Sequence, residues 1–350
     1  MTLNRKIALA VLATCAGSGA FAQSSVTLFG VVDVNTRYVK NSELPSNITM
    51  NNSGLSSGRF GLRGVEDLGG GLKAGFWLES DVNADTGSTS ATGKLFQRRS
   101  TVSLMSSYGE VRLGRDFTPA SQIVVRYDPF GVIGLAGSNV SSRLPGAISS
   151  YYRHDNALQY FTPVWSGLQV ETMYALDENA ATNAGRHMAA RVAYDNGPLS
   201  LSAAYGTTTV NAAGAKFKQT GLGAAYDFGM VRLMGFYQRE ELPFGTYGTA
   251  VAGNESRFLV GVTVPVGRDQ VRASWVRTDS RGGTAAYNGS DADKFSLGYI
   301  HNMSARTALY GTMSYVNNKG GANFSLAGGA TGLAAGGNST GAEVGIRHSF

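Results

Sequence analysis

Along most of this chain, apolar and polar residues change places at every second position. In GLKAGFWLES, Leu72, Ala74, Phe76 and Leu78 fall on one parity, and Lys73, Gly75, Trp77 and Glu79 on the other. In GLQVETMYAL, Leu168, Val170, Thr172, Tyr174 and Leu176 oppose Gln169, Glu171 and Met173. In SVTLFGVVDVNTRYV, Val26, Leu28, Val32 and Val34 oppose Thr27, Asp33, Asn35 and Arg37. A period of two predicts β-strands with one apolar and one polar face. The last ten residues, GAEVGIRHSF, keep the same alternation, with only His348 breaking it. Chain ends are normally frayed and polar. An aromatic last residue in phase with the apolar face predicts a paired terminus with an apolar place for the Phe350 ring. Some segments, such as MVRLMGFYQ, alternate poorly; packing against neighbouring copies would blur the pattern there.

The connections can be counted. Tight turn signals occur at 66–71, 106–109, 163–167, 195–198, 227–229, 265–268 and 301–304, each between two alternating segments. Longer polar stretches occur around 41–53, 85–93, 118–150, 178–185, 207–215, 241–254, 280–292 and 317–340. Seven turns and eight loops predict sixteen strands. Short turns on one side and long loops on the other are the pattern of an outer-membrane barrel.

Composition supports the same architecture. The chain has 47 Gly, 8 Pro, 16 Tyr and 16 Phe in 350 residues, and a mean hydropathy of −0.09. An all-β chain of this kind must close its sheet or expose edges. In a closed transmembrane barrel, lipid-facing and lumen-facing residues alternate, so no window is strongly apolar. The first residues fit an export signal: Arg5 and Lys6, an apolar run from Ile7, then Ala20-Phe21-Ala22. That run is shorter than the ~20 residues of a membrane-spanning helix. The expected organisation is a signal peptide over 1–22 and a barrel over 23–350. The only cysteine, Cys15, lies in the leader, so no disulfide is expected in the mature chain.

The segments QSSVTLFGVVDVNTRYV, RFGLRGVEDLGGGLKAGFWLE, GEVRLGRDF, DNALQYFTP and the final GIRHSF resemble the trimeric general porins of Gram-negative β-proteobacteria. The resemblance runs over the whole mature chain. It implies an all-β, sixteen-stranded antiparallel transmembrane barrel in the outer membrane, a homotrimer, and a third loop folded into the lumen as a constriction. It also implies that the C-terminal Phe350 serves the outer-membrane insertion machinery. The third loop, from Asp128-Pro129-Phe130-Gly131 to Ser150, does not match residue by residue.

Charge placement then suggests what passes. Without Arg5 and Lys6 the chain keeps 28 Lys and Arg against 24 Asp and Glu, a net charge of about +4. Arg59 and Arg63 share a parity opposite Phe60 and Leu62, and Arg153 lies opposite Leu158 and Tyr160; all three are expected in the lumen. In the tandem pair Arg98-Arg99, parity with Val102 and Leu104 favours Arg99. The resemblance favours Arg98, since similar porins carry a constriction arginine at the first position of that pair. A bulge would admit both, and both are candidates. The family includes anion-selective members with an arginine cluster, and Arg59, Arg98 and Arg153 match its positions. Clustered guanidinium groups raise the local anion concentration. The alternative for each arginine is a rim residue paired with lipopolysaccharide phosphate or a nearby carboxylate. Asp128 either faces the arginine wall and sets a transverse field, or is a turn residue in Asp-Pro. Asp33 and Asp155 are expected inward, where they would neutralise arginines.

The expected function is passive diffusion of small hydrophilic solutes and ions, with a preference for anions. The expected partners are lipid, lipopolysaccharide and other copies of the chain; no nucleic acid, cofactor or metal is expected. Asp227-Phe228-Gly229 lacks the other kinase segments. Gly69-Gly70-Gly71 lacks a following Lys-Ser/Thr. His154, His187, His301 and His348 have no ligand spacing, and no serine sits in G-x-S-x-G. An enzyme is therefore not expected. Competing readings are an adhesin or phage receptor working through its loops, and a channel specific for one solute class. The stretch NNKGGANFSLAGGATGLAAGGNST reads as a flexible surface loop.

Overall fold

The computed structural model describes residues 25–90, 93–138, 152–242, 253–283 and 287–350. The expected leader and residues 139–151 of the third loop lie outside the described residues. In chain order the elements are β1 (Ser25–Asn41), β2 (Ser46–Asn52), β3 (Arg59–Gly69), β4 (Leu72–Asp81), β5 (Arg99–Ser106), β6 (Gly109–Phe117) and helix α1 (Pro119–Tyr127). Then come β7 (Arg153–Phe161), β8 (Leu168–Ala175), β9 (His187–Asn196), β10 (Leu199–Thr209), β11 (Lys216–Asp227) and β12 (Arg232–Leu242). The last are β13 (Gly253–Val266), β14 (Asp269–Arg281), β15 (Ala292–Asn302), β16 (Thr307–Asn318) and β17 (Ser339–Ser349).

Successive strands pair antiparallel, and β17 returns to β1 from Val31↔Ser349 to Asn41↔Ser339. The ring is therefore closed. The lower half of β1 pairs with β3 and its upper half with β2. β2 and β3 are thus one barrel strand with a break at 53–58, and the barrel has sixteen strands. The polar stretch around 41–53, expected to be all loop, contains β2. Its alternating Ile48 and Met50 are exposed apolar residues, too few to reveal a strand by periodicity.

The break is held by one carboxylate. Asp33 is fully buried and accepts N–H bonds from Gly54 (3.1 Å), Leu55 (2.9 Å) and Ser56 (2.7 Å), and the Tyr310 hydroxyl at 2.6 Å. It therefore serves the backbone and does not neutralise an arginine. Asp155 pairs with Arg115 (2.7 Å) and Lys94. The terminus closes as expected: Gly30 and Phe350 exchange both backbone bonds at 3.0 Å. A Cβ on Gly30 would lie 2.3 Å from Phe350 Cζ, so glycine leaves the room the ring occupies.

After β6 the chain leaves the wall. The Thr118 hydroxyl caps α1 by accepting from Ser121 N, and Pro119 opens the first turn, where its missing N–H costs nothing. The next proline, Pro129, disfavours helix at Asp128. α1 packs on the inward residues of β8 to β12. Tyr127 lies so close to β11 that a Cβ on Gly223 would be 2.1 Å from its ring. Farther along, Leu135 N donates to Glu343 on β17 (2.9 Å), and Lys294 on β15 donates to Gly137 O (2.6 Å). A segment packed on β11 at one end and bonded to β17 at the other spans the inside of the ring. Its apolar side makes a core with Phe236, Leu259 and Val276 of the wall. This explains the poor alternation in MVRLMGFYQ: Met234 and Phe236 face inward under α1, which does not require a neighbouring copy. The stretch 317–340 is likewise packed rather than flexible. Phe324, Leu326 and Leu333 are buried, and Asn41 Nδ2 donates to Ser325 Oγ (2.9 Å) and Ala330 O (2.7 Å).

Replacing Asp33 with Ala should leave three N–H groups and a hydroxyl without their acceptor, destabilising the barrel by about 1–3 kcal/mol or more. A lowered temperature for loss of the folded band on an unheated gel would report this; an unchanged temperature would refute the role given to Asp33.

Candidate functional site

Five of the predicted arginines converge on the wall made by β3, β4, β5 and β7. Arg59 opens β3 after the break, and Arg63 follows four residues later on the same face of the pleat, so both project inward. Arg63 lies over the rings of Phe29 (5.3 Å) and Trp77 (5.0 Å). Arg99 also lies over Trp77, at 4.6 Å. Such cation–π contacts hold the guanidinium groups extended, and Arg99 also donates to Thr101 Oγ1 at 3.0 Å and pairs with Asp116 at 3.4 Å.

Arg98 and Arg99 both turn inward. Arg99 is the register partner of Glu79, and the Arg98 N–H also bonds Glu79 O at 3.0 Å. Two consecutive residues thus oppose one, as in a β-bulge. Arg98 Nε contacts Glu79 Oε1 at 2.5 Å, and Glu79 Oε2 accepts from Trp77 Nε1 at 3.1 Å. Arg153 reaches the cluster by a different route from the one parity suggests. An extra residue in β7, with Asn156 at φ 54°, shifts the register between Gly114 and Asp116. Beyond it, His154 shares the face of Ala157 and Gln159, and simple alternation no longer predicts Arg153. It enters the lumen because it pairs with Phe117, where the chain bends inward. Its guanidinium stacks on the Phe117 ring at 3.9 Å and donates to Arg98 O at 2.6 Å.

Arg59, Arg63, Arg98 and Arg153 line one cavity of about 660 Å³, where Glu79 is the only acidic side chain among the described lining residues. Its opposite side is apolar: Val125, Val132 and Ile133 of the inserted segment. Arg99 lines an adjoining cavity of about 470 Å³ with Arg112, Arg126 and Arg191. Two carboxylates, Glu110 and Asp116, share that cavity and pair with Arg112 at 2.9 and 2.7 Å. The first cavity therefore holds the stronger excess of positive charge.

Asp128 does not face the arginine wall. It is nearly buried, and its oxygens accept from Phe130 N (2.8 Å), Val132 N (3.0 Å) and Ser138 N (2.8 Å). The turn-residue alternative describes it: an Asp at the end of α1 that gathers the N–H groups of its own loop. Glu79, Trp77 and Phe117 were not singled out from the sequence. Trp77 and Glu79 lie on the polar parity of GLKAGFWLES, and that placement was the available signal. Phe117 had none, because its direction follows from the bend into α1.

The chain matches the model of the Gram-negative porin family over residues 8–321. It is 42% identical over 358 residues to outer membrane porin protein 32 of Delftia acidovorans, covering 98% of this chain and 99% of that protein. It is 33% identical over 401 residues to an outer membrane porin protein of Bordetella pertussis, covering 98% and 99%. Among solved structures, an anion-selective porin from Comamonas acidovorans superposes with a TM-score of 0.83 at 39% identity, covering 94% of this chain and 100% of that one. A closed sixteen-stranded barrel with a lumenal arginine cavity and relatives of this kind belongs to the Gram-negative porin family, whose members are diffusion channels of the outer membrane.

Proposed function

We propose that this pore prefers anions, and that Arg59, Arg63, Arg98 and Arg153 set the preference. The observation that carries the reading is the cavity in which four guanidinium groups meet a single acidic side chain. Guanidinium stays charged at any physiological pH. Inside a narrow passage with low-dielectric walls, fixed charges of one sign focus the field and raise the counter-ion concentration. A passing anion exchanges part of its hydration for N–H donors, while a cation meets repulsion that only Glu79 among the described lining residues opposes. The apolar face of the inserted segment adds no opposing charge, so the solute is drawn toward one wall. Glu79 holds Arg98, which leaves Arg59, Arg63 and Arg153 as the stronger contributors. The anion-selective relative supports this reading.

The working unit is proposed to be a homotrimer, as in a solved porin described as a trimer form. The exposed apolar row of Val26, Leu28, Val32 and Tyr38 on β1 and Val344 and Ile346 on β17 suits lipid or a neighbouring copy. Lipopolysaccharide is proposed as the lipid of the outer leaflet. Phe350, last in the chain and half exposed, is proposed as the residue read by the insertion machinery. Residues 1–22 are proposed to be removed on export.

In a planar bilayer across a KCl gradient, the reversal potential should lie toward chloride. Arg59→Gln with Arg153→Gln should lower the chloride-to-potassium permeability ratio several-fold, and Glu79→Gln should raise it. A wild-type reversal toward potassium would sink the proposal. The preference should be flat from about pH 5 to 8, where arginine does not titrate. It should weaken from 0.1 M to 1 M salt as the screening length falls from about 10 Å to 3 Å. A preference that survives 1 M salt unchanged would point to steric selection instead.

A further inference from the structure

A second arginine pair faces the lumen across the ring from the first. Arg232 on β12 and Arg272 on β14 are both register partners of Thr263 on β13. The three side chains stand in one row on the inner face, with the hydroxyl between the two guanidinium groups. Neighbouring strands lie about 4.8 Å apart, so the two arginines are rooted about 10 Å apart. That span suits one small oxyanion over Thr263, reached from both sides. The row lies next to the tight turns after β11 and β13, on the periplasmic side. It lines a separate cavity of about 380 Å³, roofed by Arg126, Asp128 and Pro129 of the inserted segment.

Asp128 and Asp227 bring two negative charges to the cavity, and Asp128 acts electrostatically on Arg272, but neither is in direct contact with the two arginines of the row. Among the described residues neither Arg232 nor Arg272 has a carboxylate within 4.0 Å. The hydrogen bond of Arg272 goes to a neutral group, Gln270 Oε1, at 2.6 Å. The two carboxylates lining the cavity are otherwise engaged. Asp128 accepts three backbone N–H bonds, and Asp227 accepts from Gly229 N at 2.8 Å. Arg126 is paired with Asp195. Partly buried guanidinium groups with no carboxylate in direct contact keep N–H donors that an anion can complete.

We propose that Arg232, Thr263 and Arg272 form an anion-binding station on the periplasmic side of the lumen, suited to a tetrahedral oxyanion such as phosphate. It extends the anion path and rests on that reading for the supply of anions. The test is inorganic phosphate, titrated into both chambers of a bilayer holding the full-length channel at fixed KCl and neutral pH. Chloride current should fall saturably. Arg232→Gln with Arg272→Gln should raise the half-blocking phosphate concentration by about tenfold, the size of one lost charge-assisted hydrogen bond. The reversal potential in phosphate-free KCl should move less than it does in the Arg59→Gln, Arg153→Gln variant, because the main arginine cavity is untouched. Arg272→Lys, which keeps the charge but not the planar fork, should give an intermediate shift. Block of the double variant at the wild-type concentration would overturn the proposal, as would absence of saturable block in the wild type. Should the wild type reverse toward potassium, the anion preference would fail, yet an arginine-dependent phosphate block would still establish the station.

Discussion

The fold rests on one requirement: in lipid, every backbone N–H and C=O must find a partner within the protein. A sheet meets it only by closing on itself. β1 is where closure happens, and it carries three pairings, with β17, β2 and β3. The strand beside it is interrupted, and the N–H groups freed at 54–56 would be orphans without Asp33. One buried carboxylate thus does in the wall what a neighbouring strand does elsewhere. The terminal bonds between Gly30 and Phe350 complete the seam at its lower end.

A closed barrel of this size leaves an interior too wide to be filled by its own side chains. The inserted segment occupies part of it. Its attachment is apolar on the side of β10 to β14, through Ile123, Tyr127, Leu259 and Val276, and polar on the side of β15 and β17, through Lys294 and Glu343. This asymmetry sets the lumen's shape. The segment turns Val125, Val132 and Ile133 toward β3 to β7, where the arginines stand, and leaves the second pair behind it.

Most buried carboxylates are held by arginines: Glu343 by Arg37 at 2.7 Å, Glu171 by Arg191 at 2.9 Å, and Glu240 by Arg257. Buried pairs of this kind contribute little net stability, because the attraction offsets desolvation. Their effect is to remove negative charge from the solute path. Arg59, Arg63 and Arg153 on one sector of the wall, and Arg232 and Arg272 on the opposite one, have no carboxylate in ion-pair contact among the described residues.

The alternation of residues such as Val26, Leu28 and Val32 against Asp33 and Asn35, with seven turns and eight loops, was enough to read a sixteen-stranded closed barrel, because lipid and lumen impose a period of two on every strand. It also placed Arg59, Arg63 and Arg99 inside. Alternation cannot see where the register slips. The bulge at Arg98-Arg99 and the extra residue near Asn156 decide the direction of Arg98 and Arg153, and both depend on hydrogen bonds to strands distant in sequence. Asp33 looked like a partner for arginines because it is a carboxylate on the inward parity, whereas the Asp-Pro pair already offered the turn role that Asp128 has. The oxygens of Asp33 instead go to the N–H groups of residues 54–56 and to the Tyr310 hydroxyl, which no pattern of spacing reveals. The row of Arg232, Thr263 and Arg272 exists only once three strands are in register. The sequence by itself determined the class of fold, since the two solvents of a barrel write a short-range pattern into each strand. The site was decided by tertiary structure, since its charges are balanced or left free by contacts that the closing of the ring brings together.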